Sequence, residues 1–279
     1  MSVAQRRGAP SEHAPGASAF SANAATSSAD EAQAAISITE VSKVYGRGPA
    51  ALLAVDRLSL SVKPGEFVCL IGASGCGKST LLNMVAGLDS PTSGQVDAGG
   101  HRVSVMFQEP ALFPWLTARK NVELAMRARQ VPKNERQQRA LQLLDTVHLT
   151  EFADKRPHEL SGGMRQRVAL ARALALDADI LLMDEPFGAL DAMTRDLLHD
   201  ELDRICTERS LTVLFVTHNV REAVRLGDRV VVLSSRPGTV IEEYQVPRTG
   251  PRRIDSVQVA ELASKITDRL RAEMSRHGN

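Results

Sequence analysis

The stretch from Phe67 to Ala86, FVCLIGASGCGKSTLLNMVA, limits what this chain can fold into more than any other part of it. Phe67-Val68-Cys69-Leu70-Ile71 is a continuous apolar run, the pattern of a strand buried on both faces. At Gly72 it gives way to G-x-x-x-x-G-K-S, with Gly72, Gly77, Lys78 and Ser79 in the fixed places, and Leu81, Leu82, Met84 and Val85 then follow in a helix-like pattern. Strand, glycine loop and helix, in that order, are what a phosphate-binding loop requires. Gly75 and Gly77 can adopt backbone angles closed to other residues, so the N–H groups of the loop (Gly72, Ala73, Ser74, Gly75, Cys76, Gly77, through to Thr80) can converge on phosphate oxygens at a helix N-terminus. Lys78 can reach the β- and γ-phosphates, and Ser79 offers a hydroxyl to Mg²⁺. The sequence therefore predicts a nucleoside triphosphate site.

Composition limits what surrounds that loop. A chain of 279 residues, 43% of them hydrophobic, can bury a full core. Its net charge of +1 argues against a nucleic-acid partner, which calls for a strongly basic face. No apolar run approaches the ~20 residues that span a bilayer, so the chain is expected to be soluble by itself. Cys69, Cys76 and Cys206 have neither metal-ligand spacing nor a disulfide pattern, which points to a reducing cytosol.

Residues 1–34 are rich in Ala, Ser, Gly and Pro without apolar periodicity, and are expected to form a disordered tail rather than a signal or transit peptide. Order is expected from Ala35, where Ile36–Val41 and then Leu58–Val62 alternate like half-buried strands of an antiparallel layer. Tyr45, in the turn between them, could stack on a purine or cap a sheet edge. Arg102–Phe107 reads as another strand ending at Gln108. A mainly helical insertion follows over about residues 109–175, broken by Pro110, Pro114, Pro132 and Pro157, with Asn134 and Gln137 placed as a capping pair.

Ser161 is placed as the N-cap of a further helix whose first turn holds Gly162 and Gly163. Glycine costs roughly 1 kcal/mol there relative to alanine, so something must approach the backbone closely. An anion at the helix N-terminus meets that need. Since the phosphate loop already surrounds one nucleotide, this second anion site is explained most simply if it completes the site of another copy.

Ile180-Leu181-Leu182-Met183 is a buried strand delivering Asp184 and Glu185 at its carboxyl end, where open parallel sheets hold their ligands. Asp184 can hold Mg²⁺ through water, and Glu185 can orient or deprotonate an attacking water. Thr212–Thr217, a further buried strand, ends at His218, placed to meet the γ-phosphate. Arg229–Leu233 and Thr239–Tyr244 pair as a hairpin across Arg236-Pro237-Gly238, and an amphipathic helix bearing Val257, Leu262, Ile266 and Leu270 closes the chain.

The ordered set Tyr45, GASGCGKST, Gln108, LSGGMRQR, ILLMDE, Gly188-Ala189-Leu190-Asp191 and His218 resembles the ATP-binding subunit of ABC transporters, over essentially the whole chain from Ala35. The resemblance implies an α/β P-loop NTPase core with a mostly parallel sheet, an antiparallel β subdomain and an inserted helical subdomain. It implies an ATP-binding domain over 35–250 and a helical extension over 251–279. It also implies a closed head-to-tail homodimer with two ATP molecules, each held between one copy's P-loop and the other's Ser161, Gly162 and Gly163. In that scheme Tyr45 stacks on adenine and Gln108 senses Mg²⁺ and the attacking water. Glu185 is the catalytic base, Asp191 links the two sites, and His218 contacts the γ-phosphate.

More narrowly, Phe107–Thr117 (FQEPALFPWLT) with Asn121-Val122, and Ser235-Arg236-Pro237-Gly238, resemble the nitrate, sulfonate, taurine and bicarbonate importer branch, aliphatic sulfonates first. The segment between Gly94 and Val103 is shorter than that pattern. By the same resemblance Trp115 docks on one of two transmembrane permease subunits, with packing inside the helical subdomain as the alternative. An extracytoplasmic solute-binding protein is an indirect partner, and the chain sits peripherally on the cytoplasmic face of the membrane. A non-transport ABC ATPase is disfavoured, because the insertion is too short for a coiled coil and only one P-loop is present. Cys76, near Lys78 and a helix N-terminus, is either a reactive thiol whose alkylation blocks ATP binding or merely a small residue tolerated in the loop.

Overall fold

The structure, a computed structural model, describes residues 34–247 and 256–277. The tail expected over residues 1–34, Ala34 excepted, and the junction over 251–255 lie outside the described residues. Two sheets organise the chain. The smaller is antiparallel, with β1 (Ile36–Tyr45) between β2 (Leu52–Val62) and β4 (Ser93–Asp97). The larger runs β5 (Val103–Met106), β6 (Ile180–Asp184), β7 (Thr212–Val216), β3 (Phe67–Ile71), β8 (Arg229–Leu233) and β9 (Val240–Gln245). Its strands are parallel except for the β8–β9 hairpin.

Side-chain alternation along these strands explains why they read as unbroken apolar runs. Phe67, Cys69, Ile71, Met183, Phe215 and Val232 point into one core, while Val68, Leu70, Leu182, Val216 and Val231 point into another. The second core is closed by the antiparallel sheet, through Ile36, Ile38, Leu58 and Leu60, and by α1 (Lys78–Val85). The first is closed by α2 (Ala118–Ala128), α3 (Lys133–Thr146) and α4 (Gly162–Leu174) with α5 (Ala192–Arg209), α6 (Val220–Leu226) and α7 (Val257–His277). Phe215 lies at its centre, its ring 5.7 Å from that of Phe67 and 5.9 Å from that of Phe187.

Several local expectations shift. β2 begins at Leu52, so Tyr45 ends a strand paired with Leu52 rather than sitting in a free turn. α3 starts at Lys133 after Pro132, without a side-chain cap, because the extended backbone of Pro132 turns the chain into the helix before Asn134 is reached. On α7 the buried apolar residues are Val259, Ala263 and Ile266, with Leu262 and Leu270 half-buried against the same core, while Val257 is exposed. The helix packs on α6 and turns the 259/263/266 stripe inward. Among the described residues no helix is long and apolar enough to cross a membrane.

Parallel pairing sets the register at one edge. Asp184 lies beside Val216, and Val216 beside Leu70. The residues that follow Ile71, Met106, Asp184, Val216 and Leu233 therefore leave the sheet together at its carboxyl edge.

At the opposite edge Arg229, 7% exposed, ties the layers. It lies 2.7 Å from Glu66 and 3.3 Å from Glu243, and it donates to the Ser61 carbonyl of the antiparallel sheet. Burial pushes the Glu66 carboxyl up. Removing one partner of a buried pair leaves the other charge uncompensated. Arg229→Met is expected to destabilise the fold by about 3 kcal/mol, measured as a lower urea midpoint with an unchanged slope.

Candidate active site

The cleft at the carboxyl edge has a volume of about 690 Å³ and is lined by Tyr45, Ser74, Gly75, Gly77, Lys78, Ser79, Thr80, Gln108, Glu185 and His218, together with Leu52, Ala54 and Arg236. Ten residues singled out from the sequence thus meet in one place, though they leave five different segments of the chain.

The loop after β3 is shaped by what lies against it. Gly75 and Gly77 have φ of +75° and +101°, a region that favours glycine. A Cβ at Gly77 would stand 2.8 Å from the Ala54 carbonyl of β2, and one at Gly238, in the β8–β9 turn, 2.1 Å from the Cys76 carbonyl. The loop is thus clamped between the antiparallel sheet and the hairpin. Lys78 is 7% exposed, and its ammonium donates to the carbonyls of Gly72 and Ala73 at 2.9 Å each. These carbonyls stand where a polyanion can take over.

Cys76 has its backbone in this loop, but its thiol is fully buried in the second core, 3.7 Å from Lys78 Nζ. The reactive-thiol alternative is corrected on this point. Its Sγ would be 2.9 Å from a Cβ at Gly72, so it packs beneath the loop rather than facing a reagent. Gly72, Ala73 and Cys76 support the cleft without lining it.

Asp184 ends β6 close to the Ser79 hydroxyl, and burial pushes the Asp184 carboxyl up. Glu185 follows with φ of +44°, a conformation uncommon for a residue with a side chain. It is held there because its N–H donates to the Val216 carbonyl at 2.9 Å and its own carbonyl accepts from Gly188 at 3.3 Å. The Glu185 carboxylate lies 3.0 Å from His218 Nδ1. A carboxylate only accepts, so Nδ1–H is the donor and His218 Nε2 is free for another partner.

Tyr45, 39% exposed, is fastened at the cleft's rim by its hydroxyl, which donates to Asp89 at 2.9 Å. The Lys43 ammonium covers one face of the ring at 5.0 Å from its centre, which leaves the other face for a base, while the Tyr45 backbone does close the end of a strand. Arg236 was not singled out as a site residue. Its Nε donates to the Gly75 carbonyl at 3.1 Å, and its only sequence signal is its place in the Ser235–Gly238 turn.

Ser161, Gly162, Gly163 and Asp191 do not line this cleft. Ser161 caps α4 by accepting from the Met164 N–H at 3.2 Å, and Asp191 caps α5 by accepting from Thr194 at 3.0 Å. Part of the glycine requirement is met inside the chain, since a Cβ at Gly163 would stand 2.8 Å from Leu190 Cδ2. At Gly162 a Cβ would make only ordinary contact, 3.9 Å from Ala189 Cβ and Arg165 Nη2, so nothing within the described residues demands glycine there. Gln166, buried in the same helix and also not foreseen, joins two loops: its amide donates to the Gln108 carbonyl at 3.4 Å and accepts from Ala189 N–H at 3.3 Å.

Among the described residues no group of three or more His, Cys, Asp or Glu could hold a metal ion. The oxygen donors of Ser79 and Asp184 do suit Mg²⁺, with phosphate oxygens and water completing its shell.

The sequence model of the ABC transporter family matches residues 55–188. Over 222 residues the chain is 45% identical to the nitrate import ATP-binding protein NrtD of Synechocystis, covering 77% of this chain and 84% of that one. Over 223 residues it is 48% identical to the aliphatic sulfonates import ATP-binding protein SsuB 1 of Mesorhizobium japonicum, covering 78% and 83%. The dimeric post-hydrolysis structure of the ATP-binding cassette MJ0796, bound to ADP and Pi, superposes with a TM-score of 0.72 at 35% identity, over 77% of this chain and all of that one.

Because burial raises the Asp184 carboxyl, the native state binds its proton more tightly than the unfolded chain does. Its contribution to stability is thus present at low pH and lost as pH rises from the ordinary aspartate range through the native value. Asp184→Asn is expected to melt about 2 °C higher than wild type at pH 7 without ligand, and to lose the Mg²⁺ dependence of nucleotide binding. Calorimetry with and without Mg²⁺ measures both.

Proposed function

The chain belongs to the ATP-binding proteins of the ABC transporter family and hydrolyses ATP, and from that premise we propose that it drives uptake of a small oxyanion through two membrane permease subunits. The observation that carries the reading is a separation. Lys78, Ser79, Gln108, Glu185 and His218 surround one cleft, while Ser161, Gly162, Gly163 and Asp191 lie outside it. Two copies arranged head to tail give each cleft the second phosphate-binding helix terminus that it lacks alone. In such a dimer Asp191 stands between the two sites. Tyr45 supplies its open ring face to the adenine.

In the hydrolytic step Lys78 exchanges the carbonyls of Gly72 and Ala73 for phosphate oxygens, joined by the loop N–H groups from Gly72 to Thr80. Glu185 accepts the proton of a water whose oxygen bonds to the γ-phosphorus as the bond to the β–γ bridging oxygen breaks, giving ADP and phosphate. His218 Nδ1–H holds one oxygen of Glu185, which leaves the other for the water, and with the ring protonated at both nitrogens Nε2–H would donate to the γ-phosphate. Bound between Ser79, Asp184 and Gln108, Mg²⁺ would neutralise charge on the phosphates. Closure on ATP and opening on release of the products are the movements passed to the permease.

The surface for that transfer follows Gln108. Asn121, fully buried, accepts from the Phe113 N–H at 2.8 Å and donates to the carbonyls of Phe113, Leu116 and Thr117 at 3.0–3.3 Å. One amide thus shapes the loop that holds up Trp115, which is 68% exposed with its ring centre 5.4 Å from that of Phe113. This exposure supports docking over core packing for Trp115. In this reading the chain sits peripherally on the cytoplasmic face of the membrane, with a solute-binding protein as a partner only through the permease. An aliphatic sulfonate is the first solute to test; taurine, nitrate and bicarbonate are the others.

With Glu185→Gln, light scattering is expected to show a dimer only when ATP is present; a monomer throughout would overturn the head-to-tail sandwich. Trp115→Ala is expected to leave that ATP-dependent dimer within about twofold of its parent affinity, while lowering solute-stimulated hydrolysis by the assembled transporter about tenfold. Uptake of each labelled anion in cells carrying or lacking the system assigns the solute.

A further inference from the structure

A polar cluster buried between α5 and α6 takes no part in the steps above. His199 of α5 is 0% exposed, with Nδ1 3.0 Å from Arg225 Nη1 and Nε2 2.8 Å from Glu222 Oε1. A guanidinium donates and never accepts. Nδ1 is therefore the acceptor, and the ring's proton sits on Nε2 and is given to Glu222. The other Glu222 oxygen accepts from the Thr217 hydroxyl, and Thr217 Oγ1 accepts from the Asn219 N–H at 3.0 Å. Each bond in this series has one possible direction.

The series ends on both chain neighbours of His218. It begins on a helix capped by Asp191, and it is anchored there because Asp196 and Asp200 hold Arg225 at 2.9 and 2.6 Å. The Phe187 ring, between Glu185 and Asp191 in the chain, meets the His199 ring edge-on at 5.1 Å. A buried polar group costs stability unless every donor and acceptor is paired, and here each pairing constrains the segment that carries His218.

We propose that His199 is a positioning residue for hydrolysis: through Glu222 and Thr217 it fixes the backbone on either side of His218, and so holds the His218 imidazole against Glu185. Since His199 rides on α5, any displacement of that helix is delivered to the same imidazole. The inference rests on the reading of Glu185 and His218 as the hydrolytic pair.

The test is a double-mutant cycle on the full chain, with kcat and KM for ATP measured for His199→Ala, His218→Ala and the double variant. His199→Ala is expected to lower kcat about tenfold with KM within about twofold, and to cause no further loss once His218 is alanine. His199→Gln, whose amide can donate to Glu222 and accept from Arg225, is expected to restore most of the rate. Should His199→Ala not fold, Thr217→Val and His199→Gln carry the same cycle, with Thr217→Val showing the kcat loss. An equal loss with and without His218, or a glutamine no better than alanine, overturns the role of His199. Retention of hydrolysis in both Glu185→Gln and His218→Ala overturns the underlying reading, and this inference with it.

Discussion

A cation held under a loop of glycines is the interaction on which the rest of this structure depends. Lys78 is nearly buried, and its ammonium donates to the carbonyls of the loop that wraps it. That arrangement needs a loop whose backbone curls inward at Gly75 and Gly77, and a curl so tight admits no side chain where β2 and the β8–β9 turn press against it. The antiparallel sheet and the hairpin are thus walls of the phosphate site as well as covers for the core.

The parallel sheet supplies the rest by register. Because β6, β7 and β3 pair in step, the Asp184-Glu185 pair, His218 and the phosphate loop reach the same edge from three segments far apart in the chain. The two apolar faces of the sheet hold that edge in place from both sides. Small polar links then set the fine geometry: Gln166 between the Gln108 and Ala189 loops, and Asn121 beneath Trp115. The strained backbone of Glu185 is tolerated because both its N–H and its carbonyl are paired.

Much of this was legible beforehand, and for a specific reason. The phosphate loop, the strand bearing Asp184 and Glu185, and the strand ending at His218 are each local patterns in which a buried strand delivers polar residues at its end. Where the reading slipped, the cause lay in neighbours distant in sequence. Cys76 looked reactive from its place beside Lys78, but packing against Gly72 and the second core turns its thiol inward. At Gly163 the reading missed an internal cause for glycine, since a Cβ there would stand 2.8 Å from Leu190 Cδ2. Of the C-terminal stripe, Leu262, Ile266 and Leu270 do pack on the first core, and Val257, at the start of the helix, is the member left exposed because periodicity fixes a spacing but not where the helix meets its neighbours.

By itself, then, the sequence determined the chemistry: a triphosphate loop, a carboxylate pair, a histidine and a second helix terminus, each defined by residue types within a few positions of one another. Tertiary structure alone decided which of them share a cleft and which face away from it. It also decided that Arg236 borders the loop and that Gln166 and His199 join segments far apart in the chain. The physical reason is that hydrogen bonds and close contacts depend on positions in space. Strand register and helix phase set those positions only when the whole sheet has closed on its two cores.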